Sequence, residues 1–383
     1  MSSAYAPDVL TARQLNRATL DRQMLLARES VSVDEAVGRL VGLQAQEPAA
    51  PYLALWNRID GFDPSSLDAA FADGSIVKAS LMRITLHAVR RDDYTTFHEA
   101  MVANLRASRL NDKRFRATDL TIEQADELLP LVLDFAAEPR TKVEIEDMLT
   151  DHLGAPVEPR LWWAYRTFAP VVHVPGDDAW SFGPKQRFRT APTAPARDER
   201  DASLVRLAPR YLAAFGPASP EDFAQFTMQT RAAAREAFAA LELVEFEGPG
   251  GVLFDLPGLS IPDEDTPAPV RFMGMWESAL LAYSDRTRVL PEAYRTDVIR
   301  RNGDVLPTVW VDGYVAGVWR ATTDGIQVCA FETLPADVWD ALEHEAHLLG
   351  ATILARDPAV FGRYDHWWGK LPTDGRRMIA PAT

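Results

Sequence analysis

Three times before residue 256 the apolar residues change period, from helical spacing to strict alternation, with turn residues at the switch. The sharpest case is Val244-Glu245-Phe246-Glu247 and Val252-Leu253-Phe254-Asp255, which alternate on either side of Gly248-Pro249-Gly250-Gly251. Alternation with period two places every second side chain on one face, and a Gly-rich break between two such runs specifies a hairpin. Upstream of it, Ser219-Pro220-Glu221-Asp222-Phe223 opens a helix with proline in its first turn, and the alanine-rich run Thr230 to Leu241 is a second helix. Earlier in the chain the same plan is written twice. Residues 9–27 are helical, Ser32-Val33-Asp34-Glu35 is a capping box opening the next helix, Tyr52 to Ile59 and Asp63-Pro64-Ser65-Ser66-Leu67 start two more, and Ile76 to Val89 reads as a hairpin. Ile122 to Ala137, Thr141-Lys142-Val143-Glu144 and Glu158-Pro159-Arg160-Leu161 then give three helices. Val171 to Val174 and Trp180-Ser181-Phe182 flank the turn Pro175-Gly176-Asp177-Asp178.

Helices followed by a short hairpin is the plan of a winged helix, in which one helix enters a DNA groove and the hairpin flanks it. The predicted fold is therefore α+β and mainly helical, with three tandem winged-helix modules and a C-terminal α/β extension. The modules span 1–118, 119–196 and 197–262, with a Pro/Ala-rich linker at 190–203. Residues 263–383 are mixed, with strands over Pro307 to Arg320 and Gly325 to Glu332 and an amphipathic helix over Ala336 to Leu354, and are expected to pack on the third module. The three repeats share a plan without sharing sequence.

At 383 residues, 47% apolar and 25% charged, the chain suits several compact domains. No apolar run reaches 18 residues, and the N-terminus lacks a basic, then apolar leader, so a cytoplasmic protein with no membrane partner is expected. The single cysteine, Cys329, excludes an internal disulfide and a cysteine-based zinc site, and reads as a buried strand residue. His344, Glu345 and His347 come closest to a metal cluster, but the i, i+3 histidine pair has no obvious third ligand and reads as an amphipathic helix face; no metal or cofactor is expected. A net charge of −15 is unusual for a nucleic-acid binder. Yet Lys/Arg and Asp/Glu balance at 15 each within residues 1–120, so the whole imbalance lies beyond them. A local cluster (Arg106, Arg109, Lys113, Arg114 and Arg116) is what a duplex meets within a Debye length of about 8 Å.

One short stretch has its own chemistry. In Val41-Gly42-Leu43-Gln44-Ala45-Gln46-Glu47-Pro48, an extended backbone would project Gln44 and Gln46 together and bury Leu43 and Ala45. Two adjacent amides can hold a water or read the edge of a flat polar ligand without carrying charge. A half-buried strand that merely tolerates glutamine shows the same spacing. Glu47 would point to the opposite face and is given no role.

The surrounding text resolves the choice by resemblance. The runs Leu10 to Ala18, Leu40 to Pro48 and Pro51 to Trp56 resemble the AlkZ-like DNA glycosylases, the winged-helix enzymes related to YcaQ that excise bulky alkylated purines and unhook interstrand crosslinks. So do Met82-Arg83-Ile84-Thr85-Leu86-His87, Arg210 to Ala218, Ser284 to Leu290 and Val311 to Trp319, so the likeness covers nearly the whole chain. One departure is Ile84, where the family pattern has glycine. The resemblance implies that Gln44 and Gln46 are the catalytic pair; Gln46, aspartate in the YcaQ branch, places the chain on the AlkZ side. It implies a monofunctional enzyme acting as a monomer on double-stranded DNA that carries alkylated purines. Arg13 and Asn16 in the first matching run, Arg83, His87, and Arg106, Arg109, Lys113 and Arg114 are the expected DNA contacts. No amine adjoins the motif, so water attack without a covalent DNA intermediate is expected. The rival readings are a non-catalytic winged-helix regulator and a protein-binding scaffold, which salt-dependent duplex binding would separate.

Overall fold

The computed structural model describes residues 8–118, 120–156, 160–192 and 199–381. The helix starts follow from local chemistry. Thr11, Ser32, Asp63, Thr121, Thr141, Ser219 and Thr230 each stand at an N-cap and accept a backbone N–H from the first turn. Each such cap stabilises its helix by about 1 kcal/mol, because it satisfies a donor that the helix itself leaves orphaned. The helices they open include Ala12–Arg22, Val33–Arg39, Pro64–Ala72, Ile122–Phe135, Lys142–Leu153, Pro220–Thr227 and Arg231–Ala239. Among the described residues the longest helix, Arg91–Leu110, follows directly from a strand and packs against Arg160–Phe168 and Arg200–Phe215.

The strands do not keep three hairpins apart. Leu43–Gln44, Leu86–Arg90, Ile76–Ser80, Val171–Val174, Arg187–Thr190 and Arg140–Thr141 form one antiparallel six-stranded sheet in that order. The first two units meet where Lys78 pairs with His173. Val171–Val174 takes Arg187–Thr190 as its hairpin partner, not the expected Trp180-Ser181-Phe182. Trp180 and Phe182 leave the sheet because their rings fill the first unit's core, at 5.0 Å from Tyr52 and 4.8 Å from Phe71. The third hairpin, Val244–Gly248 with Gly251–Asp255, forms where expected and gains a parallel strand, Asp8–Val9. Part of the expected 190–203 linker lies outside the described residues, and helix Arg200–Phe215 begins within the rest.

The C-terminal segment is an antiparallel meander of Arg271–Met273, Thr308–Val311, Tyr314–Thr322, Gly325–Ala330 and Arg376–Ile379. It touches the third unit through Ala282 and Ser284, but its sheet packs mainly on the first unit. Leu43, Tyr52, Leu55 and Phe71 share one core with Phe272, Val309, Trp319 and Leu342. The first unit alone leaves the apolar helix Ala50–Trp56 uncovered, and the meander supplies the missing face. Two buried ion pairs tie the layers together. Arg58 bonds Glu277 at 2.7 Å, and Arg22 bonds Asp255 at 2.6 Å, with all four side chains almost wholly buried. Intact, such pairs offset their own desolvation; broken, they leave a bare buried charge.

Candidate active site

The glutamine strand is reached through two left-handed residues, Val41 at φ 64° and Gly42 at φ 133°. A side chain at Gly42 would lie 2.8 Å from Val89, so glycine is required both by conformation and by space. The strand itself is short. Leu43 and Gln44 pair with Ala88 and His87, the Ala45 N–H reaches the Leu86 carbonyl at 2.8 Å, and Pro48 then ends it.

The two glutamines therefore part company. Gln44 is only 4% exposed, and its Oε1 accepts from Arg83 Nη2 at 3.0 Å and lies 3.2 Å from Thr85 Oγ1. A guanidinium can only donate, so Arg83 fixes which end of the amide is oxygen and leaves the amide hydrogens to point elsewhere. Gln46 is exposed and faces a cavity of about 510 Å³. The expectation that both share one solvent face is thus corrected, since the strand ends between them.

Arg83 and Ile84 form the turn of the first hairpin, at φ 53° and 60°. For a β-branched residue this is a strained conformation, and glycine would adopt it freely. The strain sets Arg83 inward. Its Nη2 also lies 3.4 Å from His87 Nε2, its Nη1 is buried without a partner, and the Phe226 ring is 5.6 Å away. Burial, and then the charge of Arg286, lower its pKa to about 10. His87 Nδ1 faces the Thr85 carbonyl at 3.1 Å and must carry the proton there, so Nε2 is the acceptor for Arg83. Burial first, then Arg83, lower its pKa to about 3, so the ring is neutral. With no exposed surface, His87 orients Arg83 rather than touching DNA itself.

On the Gln46 side, the cavity is also lined by Glu47, Lys78, Arg109, Trp163 and Arg166. Glu47 is buried here, contrary to the expectation that it faces away, and is held by Arg363 and by the Tyr364 hydroxyl at 2.9 Å. Burial raises its pKa against the pull of Arg363, Tyr364 and Lys78. Of the expected basic cluster, only Arg109 reaches the cavity. It donates to Thr167 at 3.0 Å and stacks 4.5 Å from the Trp163 ring, whose position Arg114 shares at 4.2 Å. Arg106 is occupied by Asp126, and Lys113 is exposed outside the cavity. Arg13 and Asn16 are tethers to the C-terminal segment. Arg13 bonds Asp312 at 2.7 Å, and Asn16, wholly buried, donates to the carbonyls of Arg288 and Gly313 at 2.9 and 2.8 Å. Asn16 is therefore out of reach of a duplex. Glu345 is held by Arg28 and Arg271, and no group of three or more His, Cys, Asp or Glu among the described residues could hold a metal. No helix among them is long and apolar enough to cross a membrane.

This arrangement, one exposed amide beside a cationic cavity and one buried against Arg83, coincides with a match to a family profile described as DNA glycosylase AlkZ-like, over residues 37–352. The chain belongs to the AlkZ-like DNA glycosylases. The interstrand DNA cross-link repair glycosylase of Streptomyces sahachiroi is 29% identical over 375 residues, covering 90% of this chain and 98% of that protein. The solved structure of Streptomyces sahachiroi DNA glycosylase AlkZ matches with a TM-score of 0.77 at 25% identity, covering 90% of this chain and 97% of that one. The chain is accordingly an enzyme of the DNA glycosylase class.

For an AlkZ-like glycosylase, the residues that sequence reasoning passed over are Lys78, Trp163 and Arg166. Lys78 sits in an alternating strand, where a lysine reads as a solvent-facing residue. Only the pairing of the first two hairpins turns that face into a cavity wall.

Proposed function

We propose that the enzyme excises bulky N7-alkylated purines from duplex DNA by water attack at the glycosidic bond, with no covalent DNA intermediate. The supporting observation is the unequal setting of the two amides. Gln46 offers a free carbonyl and amide to the cavity. Gln44, its oxygen occupied by Arg83, offers only N–H donors. In this reading Gln46 accepts from the attacking water, and the buried Gln44 acts through Arg83, whose guanidinium it holds.

An N7-alkylpurine is already cationic, and its glycosidic bond is weakened before binding. The catalyst needs chiefly to position water and tolerate an oxocarbenium-like state, which is orientation rather than strong acid–base work. Amides do this without the desolvation cost of a buried carboxylate. The cross-link repair activity in the name of the relative supports unhooking of crosslinks as an extension of the same chemistry. The three helix-plus-hairpin units are read as winged-helix modules that hold the duplex, with the enzyme acting as a monomer.

The test is release of the modified base from an oligonucleotide bearing one N7-alkylguanine. The native protein should leave an abasic site, and Gln46→Ala should bind the duplex without releasing the base. Full activity in Gln46→Ala would move the catalytic centre elsewhere.

A further inference from the structure

The cavity beside Gln46 is out of charge balance. Lys78, Arg109, Arg166 and Arg363 line it against one carboxylate, Glu47, and Arg363 already bonds that carboxylate. Three cations remain. They come from three elements, strand Ile76–Ser80, helix Arg91–Leu110 and helix Arg160–Phe168, so their convergence is a product of the fold.

Lys78 and Arg109 are held in place without being neutralised. Lys78 is 3% exposed, and its ammonium stands 4.5 Å from the centre of the Phe182 ring. Among the described residues it forms no ion pair with a carboxylate, the nearby Glu47 being bonded by Arg363. Arg109 is steered by Thr167 and Trp163, both uncharged. Arg166, an exposed side chain, takes no charge-neutralising contact either, and desolvation by its surroundings lowers its pKa. The imidazole that pairs across from Lys78, His173, is driven well below its ordinary pKa by burial, by Lys78 and by Arg166, so it adds no compensation. Burying a lysine without a direct ion pair is costly, and here desolvation, opposed in part by the charge of Glu47, lowers the pKa of Lys78 to about 7. An anion entering the cavity would relieve all three groups together.

We propose that Lys78, Arg109 and Arg166 form the seat of one DNA backbone phosphate, which registers the target strand beside Gln46. The assignment rests on the glycosylase reading for its occupant. A phosphodiester suits the seat because it is a compact anion with acceptor oxygens on several sides, and two guanidiniums and an ammonium present donors from three directions. The seat also explains how a chain of net charge −15 can grip DNA: the contact is made by a few cations already in place, while the acidic remainder stays outside.

The chain has five lysines, so Lys78 can be followed by NMR of protein labelled at lysine Cε, with Lys78→Arg assigning its resonance. In the free protein the resonance should titrate near neutrality. Saturating duplex should move the midpoint up by one pH unit or more, as the phosphate replaces the missing counter-ion. Duplex that binds without moving the midpoint would overturn the seat and leave base release untouched. A midpoint moved by inorganic phosphate but not by bound duplex would also overturn it, in favour of a free-anion site. Absence of any duplex binding would sink the glycosylase reading and the seat with it.

A second measurement does not depend on that resonance. Lys78→Gln should flatten the slope of log affinity against log salt by up to about 0.9 and weaken KM about ten-fold, with kcat nearly kept. Lys78→Arg should restore the slope. A purely structural lysine would change stability and leave the slope alone.

Discussion

Replacing each glutamine singly separates a structural amide from an exposed one. In Gln44→Ala the Arg83 guanidinium loses its best acceptor, at 3.0 Å, in a place where its Nη1 is already without a partner. A hydrogen bond from a charged donor contributes about 1.5–3 kcal/mol, and the amide volume adds a small void. Thr85 still has the Met82 carbonyl at 3.0 Å, so its loss is minor. The expected destabilisation is about 2–4 kcal/mol. For 383 residues unfolding together this is a fall in Tm of about 3–5 °C. Gln46→Ala, on an exposed side chain, should stay within about 0.5 kcal/mol of the native protein while lowering kcat by about a hundred-fold or more. Urea unfolding and single-turnover base release on the same preparations give both numbers. Equal stability of the two variants, or a Gln46→Ala that unfolds more easily than Gln44→Ala, would refute the assignment of the amides.

Other expectations follow from the same geometry. Glu277→Ala strands the buried Arg58 guanidinium and should cost about 3–5 kcal/mol in urea unfolding, whereas Arg39→Ala, which breaks a surface pair with Glu29, should cost under about 1 kcal/mol. Lys78→Met removes an unpaired buried cation and should stabilise the DNA-free protein by about 1–3 kcal/mol while weakening duplex binding; a destabilised Lys78→Met would mean that the lysine has a partner in the fold. Burial depresses the pKa of His87 to about 3 and of His98 to about 4, so both are neutral in the native state and take up protons on unfolding below about 6.5. Their contribution is unchanged above that pH. As pH falls from about 6.5 toward 4, each should erode stability by about 1.4 kcal/mol per unit. A urea midpoint flat across that window would contradict their burial.

Much of this architecture was legible locally. The caps at Ser32, Thr141 and Ser219 and the Gly-rich turn at 248–251 are chemistry within four residues, and helices and hairpin stand where those signals put them. What the pattern does not carry is which strands meet. The pairing of Lys78 with His173 joins segments far apart in the chain, and alternation is blind to partner. The displacement of Trp180 and Phe182 from a strand into a core has the same origin, because their destination depends on Tyr52 and Phe71. At the site, Gln44 and Gln46 were visible as a pair, but their division between a buried and an open setting depends on where the strand stops. Basic residues misled for a related reason. Arg106 and Arg13 read as free charges until their carboxylates, Asp126 and Asp312, are brought beside them by the fold.

The floor beneath the glutamines is built by both ends of the gene. Residues between Met24 and Ala88 close against residues between Phe272 and Ile379, so a ribosome extrudes the glutamine strand long before its covering sheet exists. A message cut short anywhere before that sheet yields a chain that has both glutamines and cannot assemble around them. Premature stops should therefore abolish repair outright instead of leaving a weak enzyme. The exposed, irregular stretch around Gly258 is the corresponding opportunity. Two polypeptides divided there each carry half of the floor, and excision would report on their reunion.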